Sequence, residues 1–141
     1  WTALMIAAQN DHANIVRYLN ESAGVNVDDK NHEGWTALMI AVQNDHTNIV
    51  EYLIETDRVH VDEKNHKGWT ALMIAARNDH TNIVSYLIQE AGANVNEKSH
   101  KGWTALMIAA QNDHANIVRY LNESAGVNVD DKNHEGWTAL M

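Results

Sequence analysis

The string Trp-Thr-Ala-Leu-Met opens at Trp1, Trp35, Trp69, Trp103 and Trp137, a constant spacing of 34 residues over a chain of 141. A period of this length is the mark of a repeat architecture, in which each unit is one supersecondary element that buries its apolar face only against its neighbours. Four units run 1–34, 35–68, 69–102 and 103–136, followed by a partial unit, 137–141. A longer period lies over the first, because residues 1–39 recur letter for letter as 103–141. The expectation is a single solenoid occupying 1–141, cut as a window from a longer array of three-unit period, since neither end reads as a polar capping unit. On that reading Trp137–Met141 begins a further helix and needs a neighbour to lie against.

Each unit divides into two helical stretches and a non-helical one. In unit 35–68, Thr36 is a natural N-cap, and Ala37 through Asn44 are good helix formers with Leu38, Met39, Ala41 and Val42 on the apolar side. Asn44-Asp45 interrupts the pattern. Asp45 or Thr47 then caps a second helix of about three turns, with Ile49, Val50, Leu53 and Ile54 on one buried face. The remainder, clearest from Gly92 to Gly102, has glycine at both ends and turn formers between, which fits an extended loop or hairpin-like finger. Helices this short are marginal alone in water, so packing between units must hold them.

The tetratricopeptide repeat also has 34 residues, and Trp35-x2-Leu38 imitates its start, but its later Gly, Tyr, Phe and Pro positions are unmatched in a chain with no Phe and no Pro. Gly34-Trp-Thr-Ala-Leu-Met-Ile-Ala-Val, Asp45-His-Thr-Asn-Ile-Val-Glu-Tyr-Leu-Ile and Gly92-Ala-Asn-Val-Asn resemble the ankyrin repeat, along the whole chain. The resemblance implies an all-α ankyrin-repeat solenoid, helix-turn-helix plus finger. Where that family has Thr-Pro-Leu-His, this chain has Thr-Ala-Leu-Met, so Met39, Met73 and Met107 replace a hydrogen-bonding histidine. Asp11, Asp45, Asp79 and Asp113 replace a glycine, so a left-handed turn residue must be Asn or Asp. Unit 35–68 carries Asp57-Arg58 in place of Ala-Gly, loses its C-cap glycine and is expected to be locally the least stable.

The chemistry to be excluded is broad. With 10 Lys+Arg against 19 Asp+Glu the chain has a net charge of −9 and lacks the basic footprint that nucleic acids or anionic membranes require. The longest apolar run, Ala3 to Ala8, is far too short for a membrane span. There is no cysteine, and Ser22, Ser85, Ser99 and Ser124 lie in no nucleophile motif, so no catalysis and no cofactor are expected. His32, His66, His100 and His134 recur in the finger, and His12, His46, His80 and His114 at the second helix. Packed helices lie about 8–10 Å apart, whereas zinc needs donors at about 2.0–2.1 Å, so equivalent histidines in successive units do not share a metal. The helix histidines are expected to bond loop backbone and hold units in register; His60 stands outside the pattern. Asp29-x-Asn31-x-Glu33-Gly34 imitates half of a calcium loop, but the twelfth position is Ile40 rather than an acid. Asn20-Glu-Ser22 and Asn122-Glu-Ser124 match a glycosylation sequon by chance. Asn20 and Asn122 also stand where Ile54 and Ile88 are apolar, so the core edge there is either wet or meets another molecule.

A surface remains. The resemblance implies a concave groove that binds proteins, lined by the finger and the inner face of the first helix. Carried over by position, its candidates are His32, Glu33, Trp35, Gln43 and Asn44; then His66, Lys67, Trp69, Arg77 and Asn78; then His100, Lys101, Trp103, Gln111 and Asn112. Tryptophan and arginine are favoured at binding hot spots. The invariant Trp ladder is either a binding row or part of each unit's packing, and the variable neighbours Gln43/Arg77 and Glu33/Lys67 are the better guess for partner choice. The expected function is a protein–protein interaction scaffold; the alternative is a structural, head-to-tail array in which near-identical units serve geometry, with further copies of the same array as the partner.

Overall fold

The computed structural model describes residues 1–56, 58–124 and 126–141. Its helices are α1 (Ala3–Gln9), α2 (Ala13–Glu21), α3 (Ala37–Gln43), α4 (Thr47–Glu55), α5 (Ala71–Arg77), α6 (Thr81–Gln89), α7 (Ala105–Gln111) and α8 (Ala115–Glu123), and there is no strand among the described residues. The odd-numbered helices pack in series as one layer and the even-numbered helices as a second. Each pair is joined by a tight turn, and the fingers project from the far end.

The short first helix is fixed at both ends by local chemistry. Thr2, Thr36, Thr70 and Thr104 are the N-caps, each hydroxyl accepting from the backbone N–H of the methionine three residues on. The helix stops because Asp11, Asp45, Asp79 and Asp113 adopt φ of 59°, 58°, 60° and 61°, the left-handed region that a C-terminal cap requires. Aspartate fills the family's glycine position at some cost in strain. The first helix is apolar all round, and α3 and α5 show why: Ala37–Val42 and Ala71–Ala76 are buried on every side. An amphipathic reading of Leu38, Met39, Ala41 and Val42 missed Ala37 and Ile40, which are buried as well. Met39 and Met73, at 1% exposure, fill the space instead of making a polar contact.

The second helix is amphipathic, and Ile49, Val50 and Leu53 are fully buried while Ile54 is only partly so. Its cap differs from expectation. His46 occupies the N-cap and makes no side-chain cap bond, because Asp45 is committed to the left-handed turn and Thr47 is already helical. The imidazole is used across the repeat boundary. His46 Nδ1 lies 2.8 Å from Ala8 O and His114 Nδ1 2.8 Å from Ala76 O, while His80 reaches Gln43 O through Nε2 at 3.1 Å. A carbonyl oxygen only accepts, so these ring nitrogens carry protons. The targets are open carbonyls at the end of the preceding unit's first helix, not loop backbone.

The fingers are tight turns rather than strands. In the first, Asn31 N donates to Trp35 O and Gly34 N to Asn31 O, with His32 and Glu33 at the tip. Asn31 Oδ1 accepts from Glu33 N and Trp35 N, which pins the tip and occupies an oxygen that a calcium loop would have needed. Successive fingers meet edge-on: His66 N donates to Glu33 O, His100 N to Lys67 O and His134 N to Lys101 O. The approach is close. A Cβ on Gly68, whose φ is +77°, would stand 2.6 Å from the backbone N of His100.

A second ladder runs along the finger bases. Lys30, Lys64 and Lys98 pair with Glu63, Glu97 and Asp131 of the following unit at 2.8, 2.9 and 3.4 Å. Lys30 and Lys64 also donate to the carbonyls of Lys64 and Lys98. Exposed pairs of this kind are individually weak, about 0–1 kcal/mol, but here the pairing recurs at all three boundaries between full units.

The boundary between units 1 and 2 carries extra bonds. Asn20 is only 2% exposed and donates to the Tyr52 hydroxyl at 3.4 Å. Arg58 donates to Asn20 O and, at 3.0 Å, to Val25 O, and Arg17 lies over the Tyr52 ring. The Asn20 position is therefore neither wet nor open to another molecule; it is covered by the next unit, which also seals its sequon. Arg58, expected only to remove a glycine cap, gives that boundary a clamp. Asp57 lies outside the described residues.

Trp137–Met141 does not continue as a helix. It forms a turn, with Met141 N donating to Thr138 O, and Leu140 is 89% exposed.

Candidate functional site

The inner side of the first-helix layer and the inner edges of the fingers form a groove. One part of it is a cleft of ≈ 520 Å³ lined by His32, Glu33, Trp35, Gln43, Asn65, His66, Lys67, Trp69, Ile74, Arg77 and Asn78. Nine of these are candidates read from the sequence, drawn from units 1 to 3; Asn65 and Ile74 were not. Asn65 is 6% exposed and holds the finger through Lys67 N and Trp69 N. The recurrence of Asn31, Asn65 and Asn133 at one position of the unit could have found it.

Trp103 and Gln111 fall in a neighbouring cleft of ≈ 360 Å³, with Met107, Asn133, Glu135 and Trp137 among its walls. It repeats the first cleft two units on. Asn44, Asn78 and Asn112 sit at the helix C-caps and donate their amides to Ile40 O, Ile74 O and Ile108 O at 2.7–2.8 Å. Those donors serve the helix ends rather than the groove. His100 and Lys101 are exposed at the third fingertip.

Trp35, Trp69 and Trp103 are half-buried and packed against the core, yet each also lines a cleft. Arg77 lies over the Trp69 ring at 5.6 Å, a cation–π distance. One side of the ladder therefore anchors the units while the other side faces outward.

His60, which carried no signal as a lone histidine, is paired with Asp28 of the preceding unit through its ring, and its backbone N donates to the same carboxylate at 3.2 Å. The hydrogen bond to Asp28, and then its charge, raise the imidazole pKa above 6.5. Asp28, His60 and Glu63 offer ligand atoms within 4.8 Å of one another. Lys30 stands 2.8 Å from Glu63, so the positive charge that this acidic corner attracts comes from the chain itself. The residues are 32 and 35 positions apart, and only an offset near one repeat length could have revealed them.

The family description "Ankyrin repeats (3 copies)" matches residues 1–65 and 91–141, and "Ankyrin repeat" matches residues 67–100. The chain is an ankyrin-repeat protein. No curated protein matches it. Ankyrin repeats are generally protein–protein interaction modules, and the family is typically non-enzymatic. The groove of this ankyrin array is the surface on which the helix layer and the fingers meet. No helix among the described residues is long and apolar enough to cross a membrane.

Proposed function

We propose that this ankyrin array is a protein–protein interaction scaffold whose concave groove receives the partner, with the fingertips and Arg77 setting partner choice. One observation carries the reading: side chains from three successive units, invariant Trp35 and Trp69 together with the variable Glu33, Lys67, Gln43 and Arg77, line a single cleft of ≈ 520 Å³. Rigid aromatic rings flanked by exchangeable polar tips combine contact area with selectivity at low ordering cost. The fingers bond to one another through backbone, which leaves their tip side chains exposed. The test is crosslinked capture by two variants, one with Lys67→Ser and Arg77→Ser in the groove, the other with Glu51→Ser and Arg119→Ser on the second-helix layer. Partners lost from the first and kept by the second are the expected outcome; equal capture by both refutes the groove.

A second reading is a head-to-tail structural array. The sameness of the boundary contacts favours it, since the finger bonds and the lysine ladder recur from unit to unit regardless of the side chains at the tips. Sedimentation and electron microscopy separate the two, discrete particles supporting the scaffold and fibres the array.

A further inference from the structure

The cations of this acidic chain are unevenly used. Lys30, Lys64 and Lys98 are paired along the finger bases, Arg58 clamps backbone carbonyls and Arg17 covers Tyr52. Among the described residues Arg119 and Lys132 make no ion pair and stand apart from one another, whereas Lys67, Arg77 and Lys101 fall in neighbouring fingertip and helix positions. These last three are exposed on the groove side of units 2 and 3, and among the described residues none has a carboxylate within ion-pair distance. With 19 acidic residues available, three cations left without a carboxylate on one face make a local field opposite in sign to the net charge of −9. The field is bounded. The fingertip row reads Glu33, Lys67, Lys101, Glu135, and the helix row reads Gln9, Gln43, Arg77, Gln111.

A second observation is independent of charge. The amide nitrogen of Asn133 is buried without a hydrogen-bond partner among the described residues, and Asn133 lines the cleft between Trp103 and Trp137. A buried donor of this kind calls for an acceptor. Each cleft thus presents donors to a bound chain, Lys67 and Arg77 in the first and the Asn133 amide in the second.

We infer that the groove takes an extended acidic peptide segment of a partner protein, its carboxylates on Lys67, Arg77 and Lys101 and its intervening residues on the tryptophan ladder. This rests on the groove reading above and adds the chemistry of the occupant. Neighbouring units are set by helix spacings of about 8–10 Å, and an extended chain advances about 3.3 Å per residue, so one unit corresponds to about three peptide residues. Acidic residues at i and i+3 therefore match Lys67 and Lys101. Arg77 stands one row deeper, stacked on Trp69, with its planar guanidinium available for bidentate contact to a carboxylate.

The test is selection of a displayed library of random twelve-residue peptides on the intact array, followed by anisotropy titrations of the enriched sequences. The expected peptides carry Asp or Glu at three-residue spacing. Their affinity falls about tenfold or more in the K67E/R77E/K101E variant, and likewise when salt is raised from about 0.05 to about 0.5 M. All three positions are exposed, and an unchanged thermal melt checks the fold; R77Q/K101Q gives a milder second variant. Enriched peptides that are neutral or basic, and that lose binding on Trp103→Ala but not on charge reversal, overturn the acidic inference and leave the groove standing. Failure to enrich any peptide sensitive to a groove substitution overturns both. Self-association of the array that charge reversal abolishes makes a second copy the occupant and also refutes the inference.

Discussion

Residues 1–39 and 103–141 are the same sequence in two settings, and the structure treats them differently. Ile6 and Ile15 are 50% and 49% exposed, whereas their twins Ile108 and Ile117 are 1% and 0% exposed, because α5 and α6 precede the second copy. Asn20 lies under Tyr52 and Arg58; Asn122 is exposed. Identical letters thus give a core residue or a surface one, according to what stands beside them. The determinant is the interface between units, as expected where no unit encloses its own core.

The sharpest way to break this comparison is to make one substitution at both twins. Ile117→Ala should cost about 2–5 kcal/mol, since it opens a cavity in a fully buried site, whereas Ile15→Ala should cost less than about 1 kcal/mol. Equal losses in urea denaturation would mean that exposure in the first unit does not reflect its energetics. A smaller effect is expected at the repeat-boundary histidines. His114 donates to Ala76 O, while its twin His12 is exposed. His114→Ala should lose about 1 kcal/mol more than His12→Ala, the net value of one hydrogen bond.

The smallest effect concerns pH. His60 binds its proton more tightly when folded than when unfolded, so its contribution is fully present below 6.5 and is lost as pH rises through the raised folded value. Ring-proton NMR titration should find His60 titrating above the ordinary histidine value, and Asp28→Asn should bring it back down. At the next two boundaries the donor in the place of His60 is Asn94 N, to Asp62 Oδ1, or Asn128 N, to Asn96 Oδ1, so the histidine-linked sensitivity should be confined to the unit 1–2 boundary.

Much of the local structure was legible. The threonine caps follow from their place before an apolar run, and the left-handed aspartates from the need for a helix stop at a site without glycine. What could not be read was any partner one unit away. His46 meets Ala8, Arg58 meets Asn20 and Asp28 meets His60 across 32 to 38 residues, distances at which local periodicity is silent. The lysine ladder is the exception that a search at repeat-length offsets would have caught, since Lys30/Glu63, Lys64/Glu97 and Lys98/Asp131 share one interval. Of the groove, the residue types were readable from the family resemblance. The convergence of nine of them on one cleft required coordinates, and so did the finding that the asparagine amides after the first helix serve its end.

The backbone links between fingertips have one more consequence. His66 is tied to the carbonyl of residue 33 and His100 to that of residue 67, whatever side chain those residues carry. Vocabulary and grammar are thus kept apart: Glu33 and Lys67 can be rewritten by drift or by an engineer without the stack noticing, so a lineage of such chains is free to change its correspondents while keeping its skeleton.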